Sequence, residues 1–584
     1  MPTPAPLLRP ATRLLSCLLG LALIGGALDP ARAASVAPVS GEHGMVVTAQ
    51  KLATRVGVDV LRAGGNAADA AVAVGYALAV VYPAAGNLGG GGFMTLRLAD
   101  GRQTFVDFRE TAPLAATPTM YQDAQGRLIP GLSTLGHLAV AVPGSVAGLE
   151  HIRERYGSLS RPRLVDPAIR LAERGFVLEQ GDIDILSTST AALAQFPASA
   201  RIFLRPDGQP LQTGDRLVQR DLARTLRAIR QHGADGFYRG PVAQRLVAAS
   251  QAGGGLLTEA DLRAYQVRER TPVECDYRGY RVVSAPPPSS GGLVLCQMLR
   301  VLEAYPLKAW GWRAARGVHA QIEAMRHAYA ARNQTLGDPD FVSIPVSDWL
   351  SEDTARRIRT AIDTGRAGDS RTLRPGEPAR EGSNTTHYSI MDRWGNAASV
   401  TYTLNDWFGA KVVADGTGVL LNNEMDDFSA KPGSANLYGL VQGETNAIAP
   451  GKRPLSSMSP TIVTRDGQTV LVLGTPGGSR IITAVLHTLL NVIDHDMTIQ
   501  EAVDAPRLHQ QWLPETTQLE PRALSPDTRA LLEGMGHRFG AAQPANHVAA
   551  ILVGAPALGA APVGRQRYFG ANDPRRNTGL ALGY

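Results

Sequence analysis

Cysteine is scarce in this sequence: there are three cysteines in 584 residues, and aromatic residues make up only 6%. So few cysteines exclude a small scaffold held together by many disulfides. Two of them, Cys275 and Cys296, lie beyond the N-terminal segment. The sequence leaves open whether these two form a disulfide or stay as buried thiols. With 44% hydrophobic and 19% charged residues, the chain can nevertheless bury a large core.

Lysine is also rare, with five lysines among 58 basic residues, and the net charge is only +6. No run of Lys or Arg occurs, so nothing indicates nucleic-acid binding. The 12 histidines show no metal-ligand spacing such as HExxH, and no Gly-x-Ser-x-Gly nucleophile elbow is found. The glycine-rich residues 86–93 lack the Gly-Lys-Ser/Thr ending of a phosphate loop, which favours a tight backbone approach beside a strand. We therefore expect no metal, no cofactor and no Ser-His-Asp triad.

The N-terminus has the pattern of a secretory signal peptide. Arg9 and Arg13 precede an apolar stretch over residues 14–28, and an Ala-Arg-Ala cleavage site ends at Ala33. Residues 1–33 are therefore predicted to be removed, which predicts a periplasmic or secreted mature protein without a membrane attachment.

Helices are predicted early in the chain and strands later. Residues 50–63 and 67–81 predict two consecutive helices, of which the second is buried but too short for the roughly 20 residues of a membrane span. Residues 365–384 contain seven charged residues and three plain apolar ones, which predicts an exposed or loosely held segment. The chain is then strand-rich from Thr385 to about residue 480, which indicates a layered architecture of helices and strands.

The first hairpin of the strand-rich region is predicted to bring two hydroxyl groups together. A three-residue loop ending at Gly395 pairs residues whose numbers sum to 788, so that Thr403 lies opposite Thr385 and His387 opposite Thr401. Directly opposed Cβ atoms lie about 4.5–5.5 Å apart. Threonine pairs are also ordinary contacts in sheets, so this pattern alone favours a structural role, and His387 is expected to be structural.

Several blocks, in their order along the chain, resemble the signatures of γ-glutamyltranspeptidases. They are DFRE at 107–110, NTTHYS at 384–389, LNNEMDDFS at 421–429, RPLSSMSP at 453–460 and GTPGGSR at 474–480, with the GNLGGGGF loop before them. The resemblance covers nearly all of the chain after the signal peptide, from about residue 42 to 584. It implies an α+β fold, the four-layer αββα sandwich of N-terminal nucleophile hydrolases.

The resemblance also implies that the precursor cuts itself between Asn384 and Thr385. The products would be a large subunit over 34–384 and a small subunit over 385–584, which are interleaved parts of one core rather than separate domains. In the uncut precursor the nitrogen of Thr385 is an amide. After cleavage it is an α-amine, with an ordinary pKa of about 7.7–8.0, that can take the proton of the Thr385 hydroxyl.

The same resemblance implies the other roles in an acyl transfer. Thr403 would orient the hydroxyl or the amine of Thr385, and the adjacent N–H groups of Gly477 and Gly478 would stabilise an oxyanion. A γ-glutamyl donor also carries an α-carboxylate and an α-ammonium, which both need partners. Carboxylate binding is assigned to the planar fork of Arg109 with the hydroxyls of Ser456 and Ser457. Ammonium binding is assigned to Asn405, Glu424 and Asp427, and closure of the site to Tyr438 in a lid loop over 432–443.

The sequence thus predicts a self-processing γ-glutamyltranspeptidase that cleaves the γ-glutamyl amide of glutathione. The γ-glutamyl group would pass through a Thr385 ester to water or to an amino acid or peptide acceptor. The expected partners are these small molecules and the two subunits of one precursor. One alternative is a related acylase for glutaryl or cephalosporin-type amides, whose substrates lack the ammonium. The other is a non-catalytic binding protein with the same fold.

Overall fold

The computed structural model describes Met1 and residues 35–373, 384–542 and 546–584. Its internal contacts divide the chain into two units, Met1–Ala37 and Pro38–Tyr584, and the fold and the site below belong to the second unit. The predicted signal peptide lies outside the described residues apart from Met1. The same is true of residues 374–383, which make up nearly all of the second half of the predicted polar segment.

Two large antiparallel sheets contain most strands of the described residues. The strands are, in chain order, Val39–Gly41 (β1), Met45–Thr48 (β2), Gly91–Arg97 (β3), Gln103–Phe108 (β4), Phe176–Val177 (β5), Arg216–Leu217 (β6), Arg268–Arg270 (β7), Val273–Tyr277 (β8), Tyr280–Ser284 (β9), Thr386–Met391 (β10), Ala397–Thr403 (β11), Val413–Ala414 (β12), Val419–Leu420 (β13), Thr461–Arg465 (β14), Gln468–Gly474 (β15), Leu508–His509 (β16), Gln518–Leu519 (β17), Ala549–Val553 (β18), Tyr568–Asn572 (β19) and Leu580–Gly583 (β20). The first sheet has the order β20-β2-β10-β11-β3-β4-β7, and the second has the order β1-β19-β18-β15-β14-β9-β8.

The helices of the described residues flank these sheets. They are Lys51–Arg62 (α1), Ala67–Val81 (α2), Ser145–Tyr156 (α3), Arg161–Arg174 (α4), Gln180–Ser187 (α5), Thr190–Leu193 (α6), Pro197–Phe203 (α7), Arg220–His232 (α8), Asp235–Tyr238 (α9), Gly240–Ala252 (α10), Glu259–Ala264 (α11), Gly291–Leu302 (α12), Leu307–Trp310 (α13), Ala315–Thr335 (α14), Val346–Trp349 (α15), Glu352–Ala361 (α16), Ser370–Leu373 (α17), Ile481–Ile493 (α18), Ile499–Asp504 (α19) and Pro526–Gly534 (α20). No described helix is both long enough and apolar enough to cross a membrane.

The two helices predicted at the start of the chain are confirmed as α1 and α2. A capping box begins α2: Asn66 Oδ1 accepts a hydrogen bond from the Asp69 N–H, and the Asp69 carboxylate accepts one from the Asn66 N–H, both at 2.9 Å. Every residue of α2 is buried, as its uniformly apolar sequence predicts.

Apolar contacts set the order of the layers. Alternate side chains of a strand point to opposite faces of the sheet, and on β10 Met391 packs between the two sheets while Tyr388 packs in the cluster that contains α2. In the second sheet Val472 lies between the sheets, whereas Leu471 packs in the cluster that contains α12, α14 and α18. The layers therefore run helices, sheet, sheet, helices, and the predicted αββα sandwich is confirmed.

Strands from both sides of the Asn384–Thr385 bond are mixed in each sheet. In the first sheet, β10 and β11 lie between β2 and β3, and in the second sheet β14 pairs with β9. The two parts of the chain consequently share one core, as the resemblance implied. Cys275 in β8 and Cys296 in α12 form a disulfide, which answers the question that the sequence left open.

Candidate active site

The β10–β11 hairpin has the predicted register. His387 pairs with Thr401 in the ladder, and continuing that register places Thr385, just before β10, beside Thr403 at the end of β11. The His387 ring lies 2.8 Å from Thr401 Oγ1 and 3.0 Å from Ser389 Oγ. Burial lowers the pKa of His387 to about 3, so its ring stays neutral. Its contacts to Thr401 and Ser389 lie within the sheet, as expected for a structural residue.

Thr385 has an unusual backbone conformation at the bond predicted to be cut. Its φ is 145°, a region that residues other than glycine rarely adopt, and the residue is buried. Such strain typically costs about 1–3 kcal/mol and persists where the surrounding structure enforces it. The neighbouring Asn384 is also buried, and its side-chain amide donates a hydrogen bond to Asp406. The structure therefore holds the Asn384–Thr385 bond in a strained position directly before a strand.

A small cavity lies beside Thr385. The predicted site residues in its lining are Arg109, Thr385, Thr403, Asn405, Glu424, Asp427, Tyr438, Ser456, Ser457 and Gly478. Gly477, also predicted for the site, is not in the lining but is the residue before Gly478 in the chain. The lining also contains Arg332, which the sequence analysis missed. The fold thus gathers the residues of all the signature blocks around one space, whereas their individual roles remain predictions.

The glycine-rich loop supports the strand that carries Thr403. A Cβ atom on Gly90 would lie 2.0 Å from the Thr403 carbonyl oxygen, and one on Gly89 would lie 2.1 Å from that of Leu420. The Asn87 side chain donates to the Thr403 carbonyl at 2.9 Å. The prediction of a tight backbone approach beside a strand is confirmed, and its effect is to hold the end of β11 at the cavity.

The loop after β15 offers two adjacent backbone N–H groups. Gly477 has a φ of 132° and Gly478 one of 58°, so both adopt conformations that favour glycine. A Cβ atom would lie 2.1 Å from Asn546 Oδ1 at Gly477 and 2.4 Å from the Tyr438 ring at Gly478. Within the described part of the chain, neither N–H donates a hydrogen bond to the protein. Neither N–H is thus committed to another acceptor there, which is compatible with the oxyanion role predicted for them.

Arg109 is paired with the two carboxylates that were assigned to the donor ammonium. Its terminal nitrogens bind Glu424 and Asp427, and its Nε donates to the Pro454 carbonyl at 3.1 Å. The two acidic residues begin and end a short 3₁₀-helix, in which side chains three residues apart lie above one another. Burial lowers the pKa of Arg109, but the neighbouring carboxylates outweigh this effect and leave the pKa above its ordinary value.

Glu110 is a further buried carboxylate that the sequence analysis did not assign. It lies 3.7 Å from the Arg109 guanidinium, and neither of its oxygens has a hydrogen-bond partner among the described residues. Burial raises the pKa of Glu110 to about 7 and also raises that of Glu424 well above its ordinary value. Three carboxylates thus share one guanidinium, and at mildly acidic pH one of them holds a proton.

This buried proton predicts a pH-dependent stability. Between the unfolded pKa of about 4.5 and the folded pKa of about 7, the folded state keeps a proton that the unfolded chain has released. Stability must therefore fall as the pH rises through this window. Glu110→Gln keeps the shape of the side chain and removes the titration. We expect the melting temperature of the variant, relative to that of the wild type, to rise steadily from pH 5 to pH 8.

Differential scanning fluorimetry of both proteins across this pH range measures the effect. Glu154→Gln is a matched control, because the Glu154 side chain is more than half exposed. A difference between wild type and Glu110→Gln that stays constant with pH would contradict a raised pKa at this position.

The closing residue and the serine pair are held by specific contacts. Tyr438, predicted to close the site, is buried and lines the cavity, and its hydroxyl donates to the Asn405 carbonyl at 2.8 Å. The Asn405 side-chain amide donates to the Asn423 carbonyl at 3.0 Å. Ser456 Oγ accepts from the Met458 N–H at 3.1 Å, and Ser457 Oγ accepts from Arg332 at 3.0 Å. These contacts fix the positions from which the hydroxyls face the cavity.

Within the described ranges, one group of side chains could hold a metal ion. His319, Glu323 and His537 are buried, and their ligand atoms all lie within 4.8 Å of one another. However, the facing ring nitrogens of the two histidines are 2.7 Å apart, a hydrogen-bonding distance, and Glu323 is ion-paired with Arg326. None of the three lines the cavity beside Thr385. The absence of a metal from the chemistry stays a prediction.

The fold and the site together define a class of protein. A hydroxyl residue directly before a central strand of an αββα sandwich is the arrangement of an N-terminal nucleophile hydrolase. The family described as Gamma-glutamyltranspeptidase matches residues 53–583. The chain therefore belongs to the γ-glutamyltranspeptidase family.

Individual proteins that are similar to this chain support the same family assignment. The chain is 65% identical to a glutathione hydrolase proenzyme of Pseudomonas sp. (strain A14), over 96% of this chain and 97% of the relative. It is 47% identical to the glutathione hydrolase proenzyme of Escherichia coli (strain K12), over 94% of this chain and 93% of the relative. Among solved structures, a cephalosporin acylase from Bacillus halodurans matches with a TM-score of 0.81 at 26% identity, over 96% of this chain and 99% of that one.

Proposed function

We propose that the protein is a γ-glutamyltransferase and glutathione hydrolase that matures by cutting its own Asn384–Thr385 bond. The observation that carries this proposal is the cavity at Thr385, whose lining combines the proposed nucleophile, Gly478 of the proposed oxyanion loop and side chains of both charges. A γ-glutamyl group carries both an anionic and a cationic substituent on its α-carbon, so it suits a cavity of this kind. The names of the relatives, glutathione hydrolase proenzymes, support both the donor and the maturation step.

Maturation is proposed to begin with attack of Thr385 Oγ on the Asn384 carbonyl carbon. The peptide C–N bond breaks, the Thr385 nitrogen takes the hydroxyl proton, and an ester joins the two residues. Water then hydrolyses the ester, which leaves a carboxylate on Asn384 and an α-amine on Thr385. The strained φ of Thr385 supports this route, because cleavage releases the constraint on that backbone.

Turnover is proposed to repeat the same chemistry on the donor. The Thr385 amine takes the hydroxyl proton while Oγ attacks the γ-carbonyl carbon, and the N–H groups of Gly477 and Gly478 stabilise the oxyanion. The amide C–N bond breaks, the leaving amine takes the proton, and a γ-glutamyl ester remains on Thr385. Water or the amine of an acceptor amino acid or peptide then resolves the ester. Thr403, whose Oγ accepts from the Asn405 N–H at 2.8 Å, is proposed to orient the nucleophile.

Export and processing complete the proposal. Removal of residues 1–33 would deliver the precursor to the periplasm or the exterior, where the Cys275–Cys296 disulfide is compatible with an oxidising compartment. Processing would then give subunits over 34–384 and 385–584. Mass spectrometry of the purified protein tests both boundaries at once. The large fragment must begin at residue 34, and the small fragment must begin at Thr385.

Comparison of two donor substrates distinguishes the proposed activity from that of a glutaryl or cephalosporin acylase. Both a γ-glutamyl anilide and a glutaryl anilide carry a carboxylate, but only the first carries an α-ammonium. The buried Glu424 and Asp427 carboxylates favour the first. We expect the wild-type protein to turn over the γ-glutamyl anilide with the larger kcat/KM. Preference for the glutaryl anilide would instead identify an acylase, and no turnover of either would indicate a binding protein.

Replacement of Asp427 by asparagine is expected to act selectively on donors with an ammonium. Hydrogen bonds to charged groups contribute about 1.5–3 kcal/mol, so kcat/KM for the γ-glutamyl anilide should fall roughly tenfold to a hundredfold. For the glutaryl anilide it should be unchanged or raised, because Arg109 then has one fewer carboxylate to neutralise it. Steady-state kinetics with both anilides provides the measurement.

Asp426→Asn is the matched control for this substitution. Asp426 is a buried neighbour on the same 3₁₀-helix, but it binds the Ser133 hydroxyl and the Leu437 N–H and does not line the cavity. We expect Asp426→Asn to change both donors by a similar factor. An equal fall for both donors in Asp427→Asn would mean that Asp427 has only a structural role.

A further inference from the structure

The strained backbone at Thr385 must be held from both sides. A φ of 145° persists only where the surrounding structure enforces it. On the C-terminal side, Thr386 begins β10 and pairs with Tyr402 of β11. On the N-terminal side, Asn384 is buried, and its side-chain amide donates to the Asp406 carboxylate. Among the described residues, Asn384 makes no other hydrogen bond, so this contact is what fixes the residue before the strained bond.

Asp406 is itself fixed by two further contacts. Its N–H donates to Asn423 Oδ1 at 2.9 Å. Its carboxylate accepts from Asn384 at Oδ1, whereas Oδ2 lies 2.7 Å from Lys411 Nζ. An ionised carboxylate can accept at both oxygens at the same time. Asp406 therefore links the residue before the proposed cut to a cation in the loop that follows β11.

Lys411 holds that loop in an otherwise unfavourable shape. Its ammonium group donates to the carbonyls of Trp407 and, at 3.0 Å, of Gly409, in addition to Asp406. These three acceptors match the three donors of an ammonium group, as a buried cation requires. Positive φ angles of 59° to 75° occur at three residues of the loop other than glycine, namely Asn405, Phe408 and Lys411. The contacts of one ammonium group thus hold the strained loop and fix the Asp406 carboxylate in front of Asn384.

We propose that Asp406 is a positioning residue for maturation and not for turnover. It holds Asn384, and with it the carbonyl carbon that the Thr385 hydroxyl attacks, while Lys411 keeps Asp406 in place. Neither Asp406 nor Lys411 lines the cavity beside Thr385, so the link has no contact with the space proposed for the donor. After the cut, Asn384 ends one subunit and is no longer bonded to Thr385. This inference rests on the proposed self-cleavage and refines it.

Separate measurements of processing and turnover test the inference. Pulse labelling of the full-length precursor and a denaturing gel should show Asp406→Ala cut about tenfold to a hundredfold more slowly than the wild type. Once cut and purified, the variant should cleave the γ-glutamyl anilide with a kcat within about threefold of the wild type. Asp415→Ala is the matched control, since it removes an exposed carboxylate after β12 and should change neither rate. Processing of Asp406→Ala at the wild-type rate, or an equal fall in processing and kcat, would overturn the inference.

Asn384→Ala keeps the test decisive if Asp406→Ala fails to fold. It removes the other partner of the same hydrogen bond and leaves the pair of Asp406 and Lys411 intact. We expect it to slow the cut by a similar factor, and both substitutions together to slow it no further, because they remove one shared contact. Processing of Asn384→Ala at the wild-type rate, or additive effects in the double variant, would count against the inference. If the wild-type precursor is not cut before Thr385, the proposed function is wrong, whereas unchanged processing in the variants rejects only the role of Asp406.

Discussion

Replacement of Thr385 by alanine is expected to leave one uncut chain without detectable turnover of a γ-glutamyl anilide. The same hydroxyl is the proposed nucleophile of both maturation and catalysis, so its removal stops both steps. Loss of a covalent nucleophile typically lowers kcat by a factor on the order of 10⁴ or more. A denaturing gel and a sensitive anilide assay measure the two effects on one preparation.

Two neighbouring substitutions serve as controls for this variant. Thr385→Ser keeps a hydroxyl at the same position and should still be processed. Thr386→Ala removes the hydroxyl of the next residue, which begins β10 and is equally buried, and should give two chains. Normal processing of Thr385→Ala, or a block of processing in Thr386→Ala alone, would move the nucleophile away from Thr385.

Replacement of Gly478 by alanine is expected to lower kcat by roughly a hundredfold to a thousandfold. The new Cβ atom would lie 2.4 Å from the Tyr438 ring, so the loop or the lid must shift and the N–H group loses its alignment. One oxyanion donor contributes about 2.7–4 kcal/mol to the transition state. The effect should fall on kcat more than on KM, because the oxyanion exists only in the transition state and the intermediates.

Gly467→Ala separates loss of the donor from ordinary backbone strain. Gly467 has a φ of 75° in the turn between β14 and β15, and a Cβ atom there would meet nothing within 4 Å. Its replacement therefore costs strain at a similar positive φ without touching the site. Comparable losses of kcat in both variants would remove the assignment of Gly478 to the oxyanion.

Local patterns in the sequence predicted much of the fold. The register of the β10–β11 hairpin followed from the position of one glycine, and α2 followed from its apolar run and its Asn66 cap. The signature blocks identified the residues that surround the cavity, because each block is short and continuous. These features depend on neighbours in the sequence, which is why they could be predicted without the structure.

The features that were missed depend on contacts between distant segments. Arg332 reaches the cavity from the end of a long helix, and its partner Ser457 lies 125 residues away in the chain. Glu110 directly follows an assigned residue, but only the packing around Arg109 shows that neither of its oxygens has a hydrogen-bond partner among the described residues. The pairing of Arg109 with Glu424 likewise joins segments 315 residues apart. Neither periodicity nor spacing reports such contacts.

The mixing of strands from both sides of Thr385 has a consequence for how the enzyme can be assembled. If the segment after Thr385 were synthesised alone, β10 would have no β2 and β11 no β3, and both exposed edges would invite aggregation. The segment before it would lack the centre of both sheets. Neither half is therefore an independent folding unit, and the disulfide, which joins two residues of the same half, does not tie the halves together. Synthesis as one polypeptide therefore allows the strands of both halves to pair during folding. The later cut is made in a core whose strands are already paired.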